Sequence, residues 1–402
     1  MGLRVETTVS PKVEQKMVYA GANSQSFEQA TRDLKELAEL EIKSERVRRA
    51  TLRNGKARCE LARRLTEAFL TKSIPDQLHQ GPADQQPPPL AVVMSDGGRY
   101  QRFDRKEDSP KTESLWKESR IAVLLSMQSE SHQSDPAPEL PEFLQDVGIA
   151  KKLADIGKVT GENAKRDQRS DEHEPPWARP EMLRKDVVAS GKSWKEFGPM
   201  VASAAWYAGF FKASEKVFVS DGSSSIEEMQ GEWFSNFTSI LDLMHALSYS
   251  LAAARAIHSE TEEAWECYRR FATAIWQGKV DSVIAELDQY QSQLGEPPKD
   301  ASETDPREIV RRSRVYYRNH RGRMKYPEYR RKGYPLTSAI MESTVKQINR
   351  RVKGSEKFWS TSGGESLLRL RGDYISDSKP MDDYWQILRQ AADGCRTYGL
   401  SI

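Results

Sequence analysis

Three carboxylates stand where they could do chemistry together. Asp96 and Asp221 each close a short apolar run, AVVMS at 91–95 and VFVS at 217–220, and each is followed by glycine. Such runs read as buried central strands, and the glycine lets the chain turn without steric cost. Each Asp is therefore expected at a sheet rim, on rigid backbone. Glu342 stands in the first turn of an expected helix opened by Pro335 and capped by Ser338. Carboxylates are the ligands that hard divalent cations prefer. Three of them converging could hold two Mg²⁺ ions, with Mn²⁺ as a substitute, about 3.5–4 Å apart. Such a pair activates a water or a 3′-hydroxyl and stabilises the leaving oxygen of a phosphodiester. A lone Asp-Gly is better explained as an ordinary turn; two of them with a helix-borne Glu and a basic surround favour the catalytic reading.

The helix at 338–352 has two neighbouring stripes. Met341, Val345, Ile348 and Val352 recur at i, i+4, i+7 and i+11 and form its apolar side. Glu342, Lys346, Asn349 and Lys353 repeat that spacing one residue on, about 100° around the helix. Glu342 with Lys346 is also an ordinary i, i+4 pair that suits the helix dipole.

The surroundings of Glu342 are strongly basic. The 402-residue chain carries a net charge of only +2, yet residues 307–357 hold sixteen Lys or Arg against four Glu. A concentrated basic segment is the footprint of a polyanion partner; acids elsewhere in the fold could also balance it. The chain is 37% hydrophobic and 30% charged, long enough for two or three domains with a polar surface. Cys59, Cys267 and Cys395 lie far apart without metal spacing, which argues against a zinc finger or a disulfide framework and for a reduced, cytoplasmic setting. No apolar run approaches the length of a membrane span, and MGLRVETTVS lacks a signal-peptide pattern.

The elements expected to position these residues follow in order. Residues 1–71 read as a helical DNA-binding piece. Ser26 opens a helix, residues 41–43 break it, and Ser44 opens a second helix with Arg46, Arg48, Arg49 and Arg53 in its first turns. Helix, break and basic helix is helix-turn-helix-like, a pattern shared with many helical hairpins. The Pro- and Gln-rich residues 72–90 read as a linker. Residues 91–243 read as the first part of an α/β core, with strands at 91–95, 116–127, 217–220 and 237–243. A polar insertion is expected at about 128–184, holding a short helix near 144–156, and a wide-faced helix at 193–213 with its start offset by Gly198-Pro199. Residues 244–305 read as a helical insertion ending in a second linker, 306–376 as the C-terminal part of the core with the basic helix, and 377–402 as a tail helix.

Strand, strand, strand, helix, strand, with acids on the first and fourth strands and a last acid on a later helix, is the order of a ribonuclease-H-like mixed sheet. The blocks MSDGGRY (94–100), FVSDG (218–222), ILDLMHA (240–246), RMKYPEYRRKGYPLTSAIMES (323–343), RRVKGSEKFW (350–359) and LLRLRGDYIS (367–376) resemble those of DDE transposases of bacterial insertion sequences. They are most similar to the ISKra4 family, with the ISLre2 type as a cousin, and run in order from about residue 26 to 376. The resemblance implies a catalytic triad of Asp96, Asp221 and Glu342 holding two Mg²⁺ ions. It also implies strand hydrolysis at element ends followed by attack of the new 3′-hydroxyl on target DNA. Arg350, Arg351 and Lys353, with Lys346, would then grip phosphate. Trp359 would stack on a base or sit in the core. Asp242 and His245 would lie behind the triad with Ser338, His245 being open to a purely structural role. Paired DNA ends imply a homodimer or larger assembly acting at the nucleoid. Family members carry Gly-Ser-Gly where this chain has Thr337-Ser338-Ala339, so a degenerate activity is an open outcome. They also have more N-terminal sequence with cysteines, so a shortened end-recognition piece is expected here.

Two other readings stay open. A nuclease of the same fold would hydrolyse DNA without joining strands. A non-catalytic relative would bind DNA with a steep salt dependence and no turnover.

Overall fold

The computed structural model describes residues 9–103, 115–157 and 179–392. The chain opens with three helices, α1 (Pro11–Asn23), α2 (Phe27–Ala38) and α3 (Ser44–Leu70), then a short α4 (Ile74–His79). Strands β1 (Leu90–Arg102) and β2 (Trp116–Gln128) follow, then α5 (Ile149–Gly157), β3 (Glu181–Ser190) and α6 (Trp194–Tyr207). Next come β4 (Glu215–Ser220), α7 (Ser224–Trp233) and β5 (Thr238–Leu241). A helical run, α8 (Leu243–Ile257), α9 (Thr261–Trp276), α10 (Val280–Leu294), α11 (Pro306–His320) and α12 (Tyr326–Arg331), leads to α13 (Ala339–Val352). The chain closes with β6 (Phe358–Trp359), α14 (Thr361–Tyr374) and α15 (Pro380–Ala392).

The strands form one six-stranded mixed sheet in the order β3-β2-β1-β4-β5, with β6 pairing the far end of β1. The pairs β1–β2 and β2–β3 are antiparallel, and β1–β4, β4–β5 and β1–β6 are parallel. Strand alternation divides the core in two. Val92, Met94, Val217 and Val219 face the larger apolar cluster with residues of α8, α9, α11 and α13. Ala91, Val93 and Phe218 face the smaller one, built on Phe197, Val201 and Phe211. The architecture is thus mixed α/β, a sheet flanked by helices.

Helix starts follow the expected capping chemistry. Ser26, Ser193, Asp305 and Ser360 accept backbone N–H groups as N-caps, and Ser193 with Glu196 completes a capping box. Pro199 lies inside α6 without displacing its start at Trp194.

Several expectations are corrected. The N-terminal piece does not stand apart. Met17, Val18, Ala30, Leu34 and Val47 share one apolar cluster with Leu370, Met381 and Trp385. The buried Arg58 donates to Asp373 at 2.8 Å, and Tyr384 donates to Asn54 at 2.8 Å. The helix α3 is 27 residues long and packs its Val47, Ala50, Asn54 and Arg58 side into the protein, with Arg46, Arg48 and Arg49 exposed. Residues 72–90 include α4 and are tied down. Lys212 donates to the carbonyls of Pro82 and Gln85, Trp206 to that of Asp76 and Asn236 to that of Leu78. The polar stretch 128–184 holds the first residues of β3, and part of it, 158–178, lies outside the described residues, as do Cys395 and the end of the tail helix. No helix among the described residues is long and apolar enough to cross a membrane.

Candidate active site

Asp96 does not end its strand. β1 runs unbroken through Asp96-Gly97-Gly98 because β2 pairs with every residue there, Gly97 with Arg120 and Gly98 with Ser119. Asp221 does follow the last residue of β4, as the sequence predicts. Gly222 then turns the chain at φ 91°, and a Cβ there would lie 2.9 Å from His320 Nε2, so glycine suits both the backbone and the space. The parallel register pairs Leu90 with Glu215 and Met94 with Val219. Asp96 lies two residues past Met94 and Asp221 two past Val219, so both acids follow the same end of that pairing.

The third acid comes from α13, which packs against β1. Gly98 permits that approach, since a Cβ there would lie 3.1 Å from Asn349 Oδ1 of the helix and 2.7 Å from Ser119 Oγ. The stripe read from the sequence is the buried one: Met341, Ile348 and Val352 are buried, Val345 and Glu342 half-buried, and Lys346 and Lys353 exposed.

The electrostatics join the three acids. Burial pushes the Asp96 carboxyl up to about 6, and the charge on Asp221 pushes in the same direction. The Gly97 N–H and His245 pull the other way, and Glu342 adds a further push upward. Asp221 is held in place by the Ser223 N–H, which donates to its Oδ1 at 2.9 Å, and by Tyr316, whose hydroxyl donates to its carbonyl at 2.8 Å.

Behind the acids lies Asp242, the N-cap of α8, 2% exposed. Its Oδ2 accepts both the N–H and the hydroxyl of Ser338 at 2.5 Å. Its Oδ1 accepts the His245 N–H at 3.0 Å and lies 3.3 Å from His245 Nδ1. Burial alone would raise the Asp242 carboxyl, but His245 and Ser338 hold it below its ordinary value. His245 in turn is opposed by burial yet raised to about 9 by Asp242, Asp221 and Asp96. Ser338 occupies the N-cap position of α13 but caps nothing with its side chain; its hydroxyl serves Asp242 instead. One carboxylate thereby ties together the N-termini of α8 and α13, the second of which carries Glu342.

The remaining sequence-predicted residues divide by burial. Lys346, Arg350 and Lys353 are exposed on and beside α13. Arg351 is not: it is 2% exposed, donates to the Gly21 carbonyl at 3.0 Å, and lies over the rings of Phe27 and Trp359. Trp359 donates to the Val352 carbonyl at 2.9 Å and packs edge-on against Phe27. Both hold the N-terminal helices rather than face solvent. Arg48 and Arg49 pair with Glu45, Arg53 pairs with Glu14, and Arg46 is exposed on α3. Tyr316 and His320 carry no sequence signal, being one Tyr and one His on an Arg-rich helix, yet both reach the Asp221-Gly222 turn.

The donor chemistry at Asp96 and Asp221 suits a hard divalent cation. Asp96 also carries an excess of negative charge around it that such a cation would relieve. Among the described residues, no group of three or more His, Cys, Asp or Glu side chains is closed to ligating geometry. The arrangement is two carboxylates just beyond the same end of the β1–β4 pairing, with a third within electrostatic reach of Asp96. Comparison of the chain with protein-family models and with curated proteins gives no match.

Proposed function

We propose that the chain is a DDE-type DNA transposase of the bacterial insertion-sequence kind, with a ribonuclease-H-like core and Asp96, Asp221 and Glu342 as its catalytic acids. One observation carries this reading. Asp96 on β1 and Asp221 just past the end of the parallel neighbour β4 lie beyond the same end of the β1–β4 pairing, a helix bearing the third acid packs on β1, and the Asp96 carboxyl feels both of the others. The sheet order 3-2-1-4-5 with its first three strands antiparallel supports the same fold.

Asp96, Asp221 and Glu342 would hold Mg²⁺ or Mn²⁺, which when bound activates the attacking hydroxyl and stabilises the leaving oxygen. The chain's own residues do the positioning. Asp242 fixes the mouth of α13, His245 balances the surplus of carboxylate charge, and exposed Lys346, Arg350 and Lys353 meet DNA phosphates. Two DNA ends acting together call for a homodimer or larger assembly.

The test uses labelled duplex carrying the DNA that flanks the gene, with Mg²⁺ or Mn²⁺. Asp96→Ala, Asp221→Ala and Glu342→Ala should each lower strand cleavage by at least about 10²-fold while leaving DNA binding intact. Normal cleavage by any one of them removes the triad. Cleavage without joining of the new 3′ end to a target would make the chain a nuclease.

A further inference from the structure

Two facing rows of side chains lead away from Asp221. On α8, His245 and Tyr249 are four residues apart; on α11, Arg312, Tyr316 and His320 repeat that spacing, so each row lies along one side of its helix. At the inner end, His245 is within electrostatic reach of Asp221 and Asp96, and His320 borders Gly222. In the middle, Tyr316 donates to the Asp221 carbonyl at 2.8 Å. Its ring stacks face to face on that of Tyr249, with centroids 3.8 Å apart and planes 11° apart. The Ser313 hydroxyl donates to the Tyr249 carbonyl at 3.4 Å and the Tyr317 hydroxyl to that of Ala246 at 2.8 Å, which fixes α11 on α8. Arg312 is exposed at the outer end, about one helical turn beyond the tyrosine that touches the Asp221 backbone.

The arginines of α11 differ in what they touch. Arg307 pairs with Asp305, Arg311 with Glu308, and Arg314 and Arg318 with Asp288. Arg312 instead bonds to the neutral hydroxyl of Tyr249. Glu308, the acid one turn before it, already accepts two bonds from Arg311, both at 2.7 Å. Burial raises the Tyr249 phenol; Arg312 pulls it down and Asp221 pushes it up, which places that hydroxyl within reach of both charges.

A guanidinium offers five N–H donors in a planar fork that matches a phosphate. Tyr249 takes one of its bonds and is itself locked on Tyr316, so the fork is aimed with donors to spare. A phosphodiester approaching Asp96 and Asp221 meets their negative charge, and a cation at the mouth offsets that repulsion. We infer that Arg312 holds a DNA phosphate beside the bond presented to Asp96 and Asp221, with Tyr249 as its positioning residue; this rests on the transposase reading above.

The experiment uses the full chain and a fluorescein-labelled duplex carrying the DNA that flanks the gene. In EDTA, where no cleavage intervenes, Arg312→Ala should lower the slope of log affinity against log salt by about 0.9, the share of one duplex phosphate, and Arg312→Lys should keep the native slope. With Mg²⁺ and saturating DNA, Arg312→Ala should slow cleavage by at least about 10-fold. Tyr249→Phe keeps the ring stack and loses the bond to Arg312; it should slow cleavage about 2- to 10-fold with the salt slope unchanged. Arg318→Ala removes an arginine already paired with Asp288 and should change neither readout. An unchanged slope in Arg312→Ala, an equal fall in Arg318→Ala, or a lowered slope with full cleavage at saturation would overturn the role of Arg312 while leaving the three acids in place. A native cleavage rate in Tyr249→Phe would overturn the role of Tyr249. Failure of the unaltered chain to bind the duplex would remove both this inference and the transposase reading.

Discussion

The Asp242→Asn substitution tests how the acids are held. The native carboxylate accepts two bonds from Ser338 and one from the His245 N–H, and faces His245 Nδ1. The amide keeps the shape, but it loses the charge and half the acceptors and places an NH₂ against N–H donors. His245 then loses its largest upward influence, and burial, which opposes its charge, takes over. Native His245 titrates at about 9 against 6.5 ordinarily. A raised histidine stabilises the fold fully below its ordinary value, and that contribution is lost as pH rises through about 9. At 1.36 kcal/mol per unit, the stabilisation is about 3 kcal/mol. To this is added the cost of the mispaired Ser338 groups, about 1–3 kcal/mol at any pH in this range. Urea unfolding followed by fluorescence should thus give a gap between native and Asp242→Asn proteins of about 4–6 kcal/mol near pH 6, shrinking by about 3 kcal/mol towards pH 10. A gap that stays constant across that range would refute the pairing of His245 with Asp242.

Two further outcomes follow from the same charges. Burial and the neighbouring acids raise the folded Asp96 carboxyl to about 6, so its charged form costs stability as pH rises from about 4 to 6; Asp96→Asn should stabilise the protein by ~1–3 kcal/mol at pH 7.5 and by nothing near pH 3, as read by urea unfolding at both pH values. Arg58→Leu leaves the buried Asp373 with Arg369 as its remaining partner and should cost ~3–5 kcal/mol, with the N-terminal helices becoming the first site of cleavage in limited proteolysis.

Much of this architecture is legible along the chain. The apolar runs at 91–95 and 217–220 are central strands, and the stripe through Met341, Ile348 and Val352 is the packed side of α13. What failed locally failed for tertiary reasons. Asp96-Gly97-Gly98 reads as a turn, yet pairing with β2 on one edge carries the strand through it. β3 begins with exposed Glu181, Met182 and Leu183, an edge strand whose polar start hides it in the insertion. α1 contains Gly21, close against Thr51 of α3, so its weak local pattern depends on a partner. Arg351 is three residues after Ile348 and seven after Thr344, on the packed side, a spacing that overrides its charge. Asp242 was visible as an acid near His245, but its grip on Ser338 joins positions 96 residues apart, which no local window contains.

The shared core of the N- and C-terminal helices has a consequence for synthesis. Arg58 and Asp373 are 315 residues apart. At ~5–20 residues per second, ribosomal elongation leaves α3 without α14 for roughly 15–60 s. Throughout that interval Ala50, Asn54 and Arg58 lack the C-terminal partners they pack against in the finished protein. Helices α1–α3 are thus made long before they are completed, and a nascent chain stalled before α14 would expose a face suited to chaperones and proteases.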